Sequence, residues 1–320
     1  MKRLFLKSIL YVFLIIISLE VIVRAFHLYK EVPIRYIDEF GVEKSLPSQT
    51  GFAVTGNRKQ NYSEYRINDF GFNSFREFLP TKENIEIALI GDSFVEGFHQ
   101  DYYDSTGKKV EDKLHQKNIQ VYEYGYGGYD LANQLHIIEA YIDHFKLIDH
   151  IIMYIKFEED LDRSEYIPNK ERINMLKSPL FKLRDKFKLL SYTSEIGIVD
   201  PVKNMALKMV QIGKSSKKTD SLKTLIDIDK ERLKNFKTLI NTYKFDKKKI
   251  TFLTNIKTTS AIFINYCKEN NFEIIDYGTV FEESKKTPTL IYDQHWNNHG
   301  RDLVASEISS FLKKKLNLHK

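Results

Sequence analysis

From Ile85 to the C-terminus, short β-type runs alternate with longer helical ones, and few folds accommodate that rhythm. The runs IEIALIG (85–91), IQVYEYG (119–125), HIIMYI (150–155), KKITFLT (248–254) and FEIIDY (272–277) read as strands. Helical spacing covers 108–116, 131–145, 226–243, 259–270 and 298 to about 316. Strand, helix and strand repeated in this order build a parallel sheet, so one doubly wound α/β sheet of five strands is expected. Residues 161–225 break the rhythm. They are rich in Lys and Ser with scattered apolar residues, and read as an inserted, mostly helical segment. No internal repeat of a solenoid period is present.

Two segments precede the alternating region. Residues 4–26 (LFLKSILYVFLIIISLEVIVRAF) are apolar apart from Lys7, Glu20 and Arg24, and are long enough to cross a bilayer as a helix. Lys2, Arg3 and Lys7 place the N-terminus in the cytoplasm and the rest of the chain outside it. A cleaved signal would end in small neutral residues; here Glu20 and Arg24 stand in their place, so an uncleaved single-pass anchor over residues 1–30 is expected. Residues 31–80 mix turn formers, aromatics and charges without a period. They read as an extended lead-in packing on the edge of a domain formed by residues 81–320.

The formal charge of +6 does not point to nucleic acid. Residues 1–30 hold five of the 49 basic and one of the 43 acidic residues, which leaves 44 against 42 elsewhere. The single cysteine, Cys267, has no partner for an internal disulfide. It lies in an apolar helical pattern, AIFINYCKENN, as a small buried hydrophobe would.

The first strand ends in ALIGDSFVEGF, which sets Gly91-Asp92-Ser93 at a strand's carboxyl end, where α/β sheets build their sites. A serine there either caps the following helix or presents its hydroxyl beside free helix N-terminal amides. Near the other end, LIYDQHWNNHG places Asp293 and His295 two residues apart, just before the last helix. Ser93 as nucleophile, His295 as base and Asp293 as the acid orienting it form a set suited to acyl transfer. Reading Asp293, His295 and His299 as metal ligands lacks a further cluster at ligand spacing, so no metal and no organic cofactor are expected.

These residues resemble the SGNH, or GDSL, hydrolases, whose serine lies in an early G-D-S block and whose Asp/His pair lies in a late one. YRINDFGFN (65–73) is similar to the segment preceding that block in membrane-anchored members, and VYEYGYGGYDLANQ (121–134) to the second block. The resemblance covers residues 65 to the C-terminus apart from the insertion. It implies a flavodoxin-like three-layer sandwich, and an oxyanion hole built from the amides of Ser93 and Gly128. One departure stands out. The family's third block is a strand followed by Asn-Asp, and its Asn completes the oxyanion hole. Here Glu158-Glu159-Asp160 follows the strand, so if Asp160 matches the family's Asp, Glu159 stands where a donor should. An ionised carboxylate cannot donate, and losing such a donor costs about 2.7–4 kcal/mol in the barrier unless another, such as Asn133 or Asn297, substitutes.

Asp92, Glu159 and Asp160 are further candidates to line the site. The alternation in VYEYGYGGY accounts for most of its tyrosines as one buried strand face, which leaves Tyr129 and Trp296 as candidate contacts to a sugar ring. The expected function is that of an extracytoplasmic esterase or O-acyltransferase. Its substrate would be an O-acyl group, O-acetyl by resemblance, on a glycan or lipid-linked molecule. The alternative is a weakly active or inactive scaffold that binds glycan or a partner at the cell surface, for which Glu159 speaks. Oligomeric state and acceptor are not legible in the sequence.

Overall fold

A computed structural model describes residues 1–56, 59–115, 118–198 and 225–317. Its sheet holds five parallel strands: β5 (Ile85–Gly91), β6 (Ile119–Gly125), β7 (His150–Tyr154), β8 (Ile250–Thr254) and β9 (Ile274–Asp276), in the order β6-β5-β7-β8-β9. β5, the first of these five in the chain, lies second in the sheet, and the later strands run outward on its other side. This is the flavodoxin-like doubly wound order, with its switch point at the carboxyl ends of β5 and its neighbours. Residues on both faces of β5, β7 and β8 are buried, as in a sheet covered by helices on either side. One core is built on Ala88, Ile90, Tyr122, Tyr124, Ile151, Met153 and Phe252. The other, on the opposite face, is built on Ile87, Leu89, Val121, Ile152, Tyr154 and Leu253.

The helices follow the alternation. They are α2 (Ser93–Glu96), α3 (Thr106–Leu114), α4 (Leu131–Ala140), α5 (Ile142–Phe145), α6 (Phe157–Asp160), α7 (Lys170–Lys177), α8 (Pro179–Lys186), α9 (Lys188–Glu195), α10 (Leu225–Thr242), α11 (Ala261–Glu269), α12 (Gly278–Glu283) and α13 (Asn298–Lys315), with α1 (Lys2–Ala25) ahead of them all. The helix expected over 131–145 is broken at Tyr141, whose hydroxyl is held by Asp38 and by Lys44 Nζ at 2.6 Å. The lead-in contains strands that its irregular pattern hid. β1 (Arg35–Ile37) pairs with β2 (Glu43–Ser45), and β3 (Thr50–Thr55) with β4 (Asn61–Arg66). Within the insertion, α7, α8 and α9 are helical as expected, and residues 199–224 lie outside the described residues. Cys267 is buried, which pushes its thiol up to about 12.

Among the described residues the chain forms two compact units. One comprises 1–32, 52–62 and 171–198; the other, which holds the sheet, comprises 33–51, 63–170 and 225–317. In the first, α1 is long and apolar enough to cross a membrane, and Val23 is its only buried residue.

Candidate active site

The loops after β5, β6 and β7 meet at the carboxyl edge of the sheet because these strands are neighbours. The first turns sharply at Gly91-Asp92-Ser93. Asp92, not Ser93, caps α2: its Oδ1 accepts the Phe94 N–H at 2.8 Å. The capping role is therefore filled by the preceding residue, and the Ser93 hydroxyl lies 2.7 Å from His295 Nε2. On the other side of the imidazole, Nδ1 lies 2.5 Å from Asp293 Oδ1, which also accepts the His295 backbone N–H at 3.0 Å. Burial works to raise the Asp293 carboxyl, but these hydrogen bonds and the neighbouring His295 and His99 outweigh it and hold it below the usual value.

The late loop is fixed by its own aromatic residue. Trp296 is buried between Phe94, Tyr154 and Tyr277, with ring centroids 5.1, 5.1 and 5.2 Å away. Asn297 caps α13 by accepting the Gly300 N–H, while its amide donates to the Thr287 and Thr289 carbonyls at 2.7 and 2.8 Å. His295 immediately precedes these two anchors, with its ring stacked on Phe94 at 4.5 Å.

The loop after β6 is a glycine turn. The Tyr129 N–H closes it on the Tyr126 carbonyl at 3.0 Å, and Gly128 has φ +97°. A Cβ on Gly127 would lie 3.6 Å from Ser93 Cβ, which puts the turn beside the nucleophile candidate. The Gly127 carbonyl faces Arg35 Nη1 at 3.5 Å; since the peptide is trans, the Gly128 N–H points the opposite way. Arg35 is itself buried, paired to Glu96 at 2.8 Å and placed 4.4 Å over the Tyr126 ring. Gly125, at the end of β6, permits all this: a Cβ there would lie 2.1 Å from the Glu96 nitrogen, so only glycine lets α2 settle on the strand.

After β7, Glu159 does not face the oxyanion position that its place in the sequence suggested. It is exposed, and its carboxylate pairs with Lys156. Lys156 Nζ also lies 3.1 Å from Asp92 Oδ2 and 5.0 Å from the Phe94 ring centroid. Burial disfavours its charge, but Asp92, Glu159 and Asp160 overcome this and hold the ammonium above its usual range. Lys156 thus sets a cation against Asp92 and Phe94, the two residues that flank Ser93 in the chain. Sequence reasoning passed over Lys156, although its place two residues beyond β7 is a signal of the kind used for Glu159. Asp160 is buried, and its Oδ2 accepts the Lys156 N–H at 2.7 Å, tying the loop; burial, with Asp92 nearby, holds its carboxyl well above the usual range. Neither amide named as a substitute donor is available. Asn133 contacts Glu43 and Arg163, and Asn297 is committed as above.

Tyr129 and Trp296 do not line an accessible surface. Each is at most 2% exposed, and the Tyr129 hydroxyl donates to the Glu43 carbonyl. The strand and loop pattern that suggested a sugar platform is satisfied by the core. His299 bonds Ser284 at 2.8 Å instead of joining Asp293 and His295. His99, which no motif flagged, takes that place: its ring stacks on His295 and its Nε2 lies 3.6 Å from Asp293 Oδ2. Ligand atoms of His99, Asp293 and His295 all fall within 4.8 Å of one another, so these three could hold a metal ion. Both nitrogens of His295 are already engaged by Ser93 and Asp293, and an ion there would have to displace one of those bonds.

Two further supports were hidden in the sequence. The Asn73 amide donates to the Glu96 carbonyl at 2.7 Å, so the segment 65–73 braces the end of α2. Arg301, fully buried on α13, donates to the Phe94 carbonyl at 2.7 Å and to Thr106 Oγ1 at 3.2 Å.

Fold and site together define a doubly wound α/β chain with a Ser-His-Asp constellation at its switch point. No family model matches the chain, and no curated protein matches it. Solved structures do. It is similar to a lipolytic protein of the G-D-S-L family from Veillonella parvula (14% identity, 72% of this chain and 98% of that one, TM-score 0.39). It is also similar to a psychrotrophic esterase from Pseudoalteromonas (11%, 73% and 100%, TM-score 0.42) and to a lipase/acylhydrolase from Enterococcus faecalis (12%, 72% and 95%, TM-score 0.41).

Proposed function

We propose that the chain is a membrane-anchored serine esterase or O-acyltransferase of SGNH type. It would act outside the cytoplasm on an O-acyl group, O-acetyl in the first instance, of a glycan or lipid-linked substrate. The observation that carries the reading is the continuous hydrogen-bonded line from Ser93 Oγ through His295 to Asp293. Anchoring rests on α1, and the orientation on Lys2, Arg3 and Lys7 at its start.

His295 Nε2 takes the proton of Ser93 as Oγ attacks the ester carbonyl, and Asp293 stabilises the imidazolium. The oxyanion is received by the amides of Ser93 and Gly128. The Lys156 ammonium has three donors and two carboxylate partners, and supplies the third contact. Collapse of the intermediate leaves the acyl group on Ser93, and His295 gives its proton to the departing sugar oxygen. Water or another hydroxyl then gives a proton to His295 and attacks the acyl-enzyme; collapse breaks the bond to Ser93 Oγ, which takes that proton back from His295 as the acid or transferred ester leaves. Esterase and transferase differ only in that acceptor.

A fluorophosphonate probe on the full-length protein in detergent tests the reading. Labelling at Ser93, lost in Ser93→Ala, is the expected result; a folded wild-type protein that resists the probe and hydrolyses no acetyl ester rejects it in favour of a binding scaffold.

A further inference from the structure

Glu20 is the one acid in the apolar run of α1, and its partners come from the insertion. Its carboxylate accepts the backbone N–H groups of Lys188 at 3.0 Å and Leu189 at 2.7 Å, the first two residues of α9, and Arg24 Nε at 2.7 Å. Arg24 Nη2 in turn donates to the Lys186 carbonyl, the last of α8, at 2.7 Å. The joint between α8 and α9 therefore exposes a helix end and a helix start, and Glu20 and Arg24 of α1 satisfy both.

This fixes a depth. At about 1.5 Å per residue, Glu20 lies about 24 Å along α1 from Leu4, within the ~30 Å of hydrocarbon that a spanning helix crosses. A carboxylate there is costly unless paired, and the groups that pair it must come to its level. The side chains around the joint suit such a place. Leu180, Leu183, Phe187 and Leu190 are all exposed, Leu180 to 80%. Lys182, Arg184 and Lys186 stand among them, with stems long enough to lie on apolar surface while their charges reach headgroups.

We propose that α8 and α9 lie on the outer membrane surface, with Leu180, Leu183, Phe187 and Leu190 entering the boundary between headgroups and acyl chains and the cations meeting anionic lipid. The inference rests on the reading of α1 as a membrane-spanning helix. In this arrangement α8 and α9 fasten the exit of the anchor to the bilayer.

The test uses the full-length chain in vesicles of phosphatidylcholine and phosphatidylglycerol, with a nitroxide on Leu183→Cys or Phe187→Cys; Cys267 is buried and does not compete. Both labels are expected to collide several-fold more with dissolved oxygen than with a water-soluble nickel chelate. Removing phosphatidylglycerol, or replacing Lys182, Arg184 and Lys186 with Gln, should lower that ratio. An Ile15→Cys label in α1 serves as reference. Labels at 183 and 187 that favour the nickel chelate while the label at 15 favours oxygen overturn the inference and leave the anchor standing. A label at 15 that also favours the nickel chelate overturns both.

Discussion

His99 lies parallel to His295, their ring centroids 4.1 Å apart and their planes tilted by 22°, with Phe94 stacked against His295 as well. The base candidate is thus held by ring packing as well as by its hydrogen bonds. At 3.6 Å, His99 Nε2 is beyond hydrogen-bond distance of Asp293 Oδ2, so what it gives the base candidate is ring packing. His99→Phe, which keeps the stack, should retain most of the esterase rate; His99→Ala should lower kcat on the order of tenfold by letting the imidazole wander. Steady-state kinetics on p-nitrophenyl acetate compare the two.

Zinc should inhibit. An ion on His99, Asp293 and His295 takes one nitrogen of the imidazole and so displaces one of its two hydrogen bonds, and micromolar Zn²⁺ should suppress hydrolysis, EDTA should reverse this, and EDTA alone should leave the rate unchanged. His99→Phe, with one ligand fewer, should need a higher zinc concentration, which an inhibition titration reads.

Ser93→Ala and His295→Ala should each remove most acetyl-ester hydrolysis while shifting the thermal melt by only a few degrees. Asp293→Asn should cost less than either, because members of such a set act together and the orienting acid is the least demanding of them. Full activity in Ser93→Ala overturns the mechanism.

Lys156→Met should lower kcat by about 100- to 1000-fold with KM little changed, the loss typical of one oxyanion donor. Glu159→Gln removes a carboxylate that is exposed and shares the ammonium, so kcat should change less than about threefold, upward. A large gain in Glu159→Gln, or an unaffected Lys156→Met, returns the decisive role to Glu159.

Glu123 offers a pH test of stability away from the chemistry. Burial pushes its carboxyl up to about 7, against the Ser105 hydroxyl, the Gly107 N–H and the charge of Arg301. The folded state then holds a proton that the unfolded chain has released, so stability should fall as pH rises from about 4.5 to about 7. Glu123→Gln should flatten that slope in thermal melts taken across the range.

The strands and most helices were legible because hydrophobic period and β-branched runs act over a few residues. The lead-in was not, since β1 to β4 pair in short two-stranded sheets whose sequence carries no alternation. The site was legible in part. Ser93, Asp293 and His295 stand in motifs, but Lys156, His99, Arg35 and Arg301 stand in none.

By itself the sequence determined the five-stranded alternation, the apolar N-terminal helix and the residue types needed for acyl transfer, all properties of neighbouring residues. Only the tertiary structure decided that Ser93 meets His295 across 202 positions, that Glu159 turns outward to Lys156, that Tyr129 and Trp296 are core, and that Glu20 caps a helix more than 160 residues away. The reason is that a side chain's direction and partners depend on strand order, register and packing, which join residues that no local pattern connects.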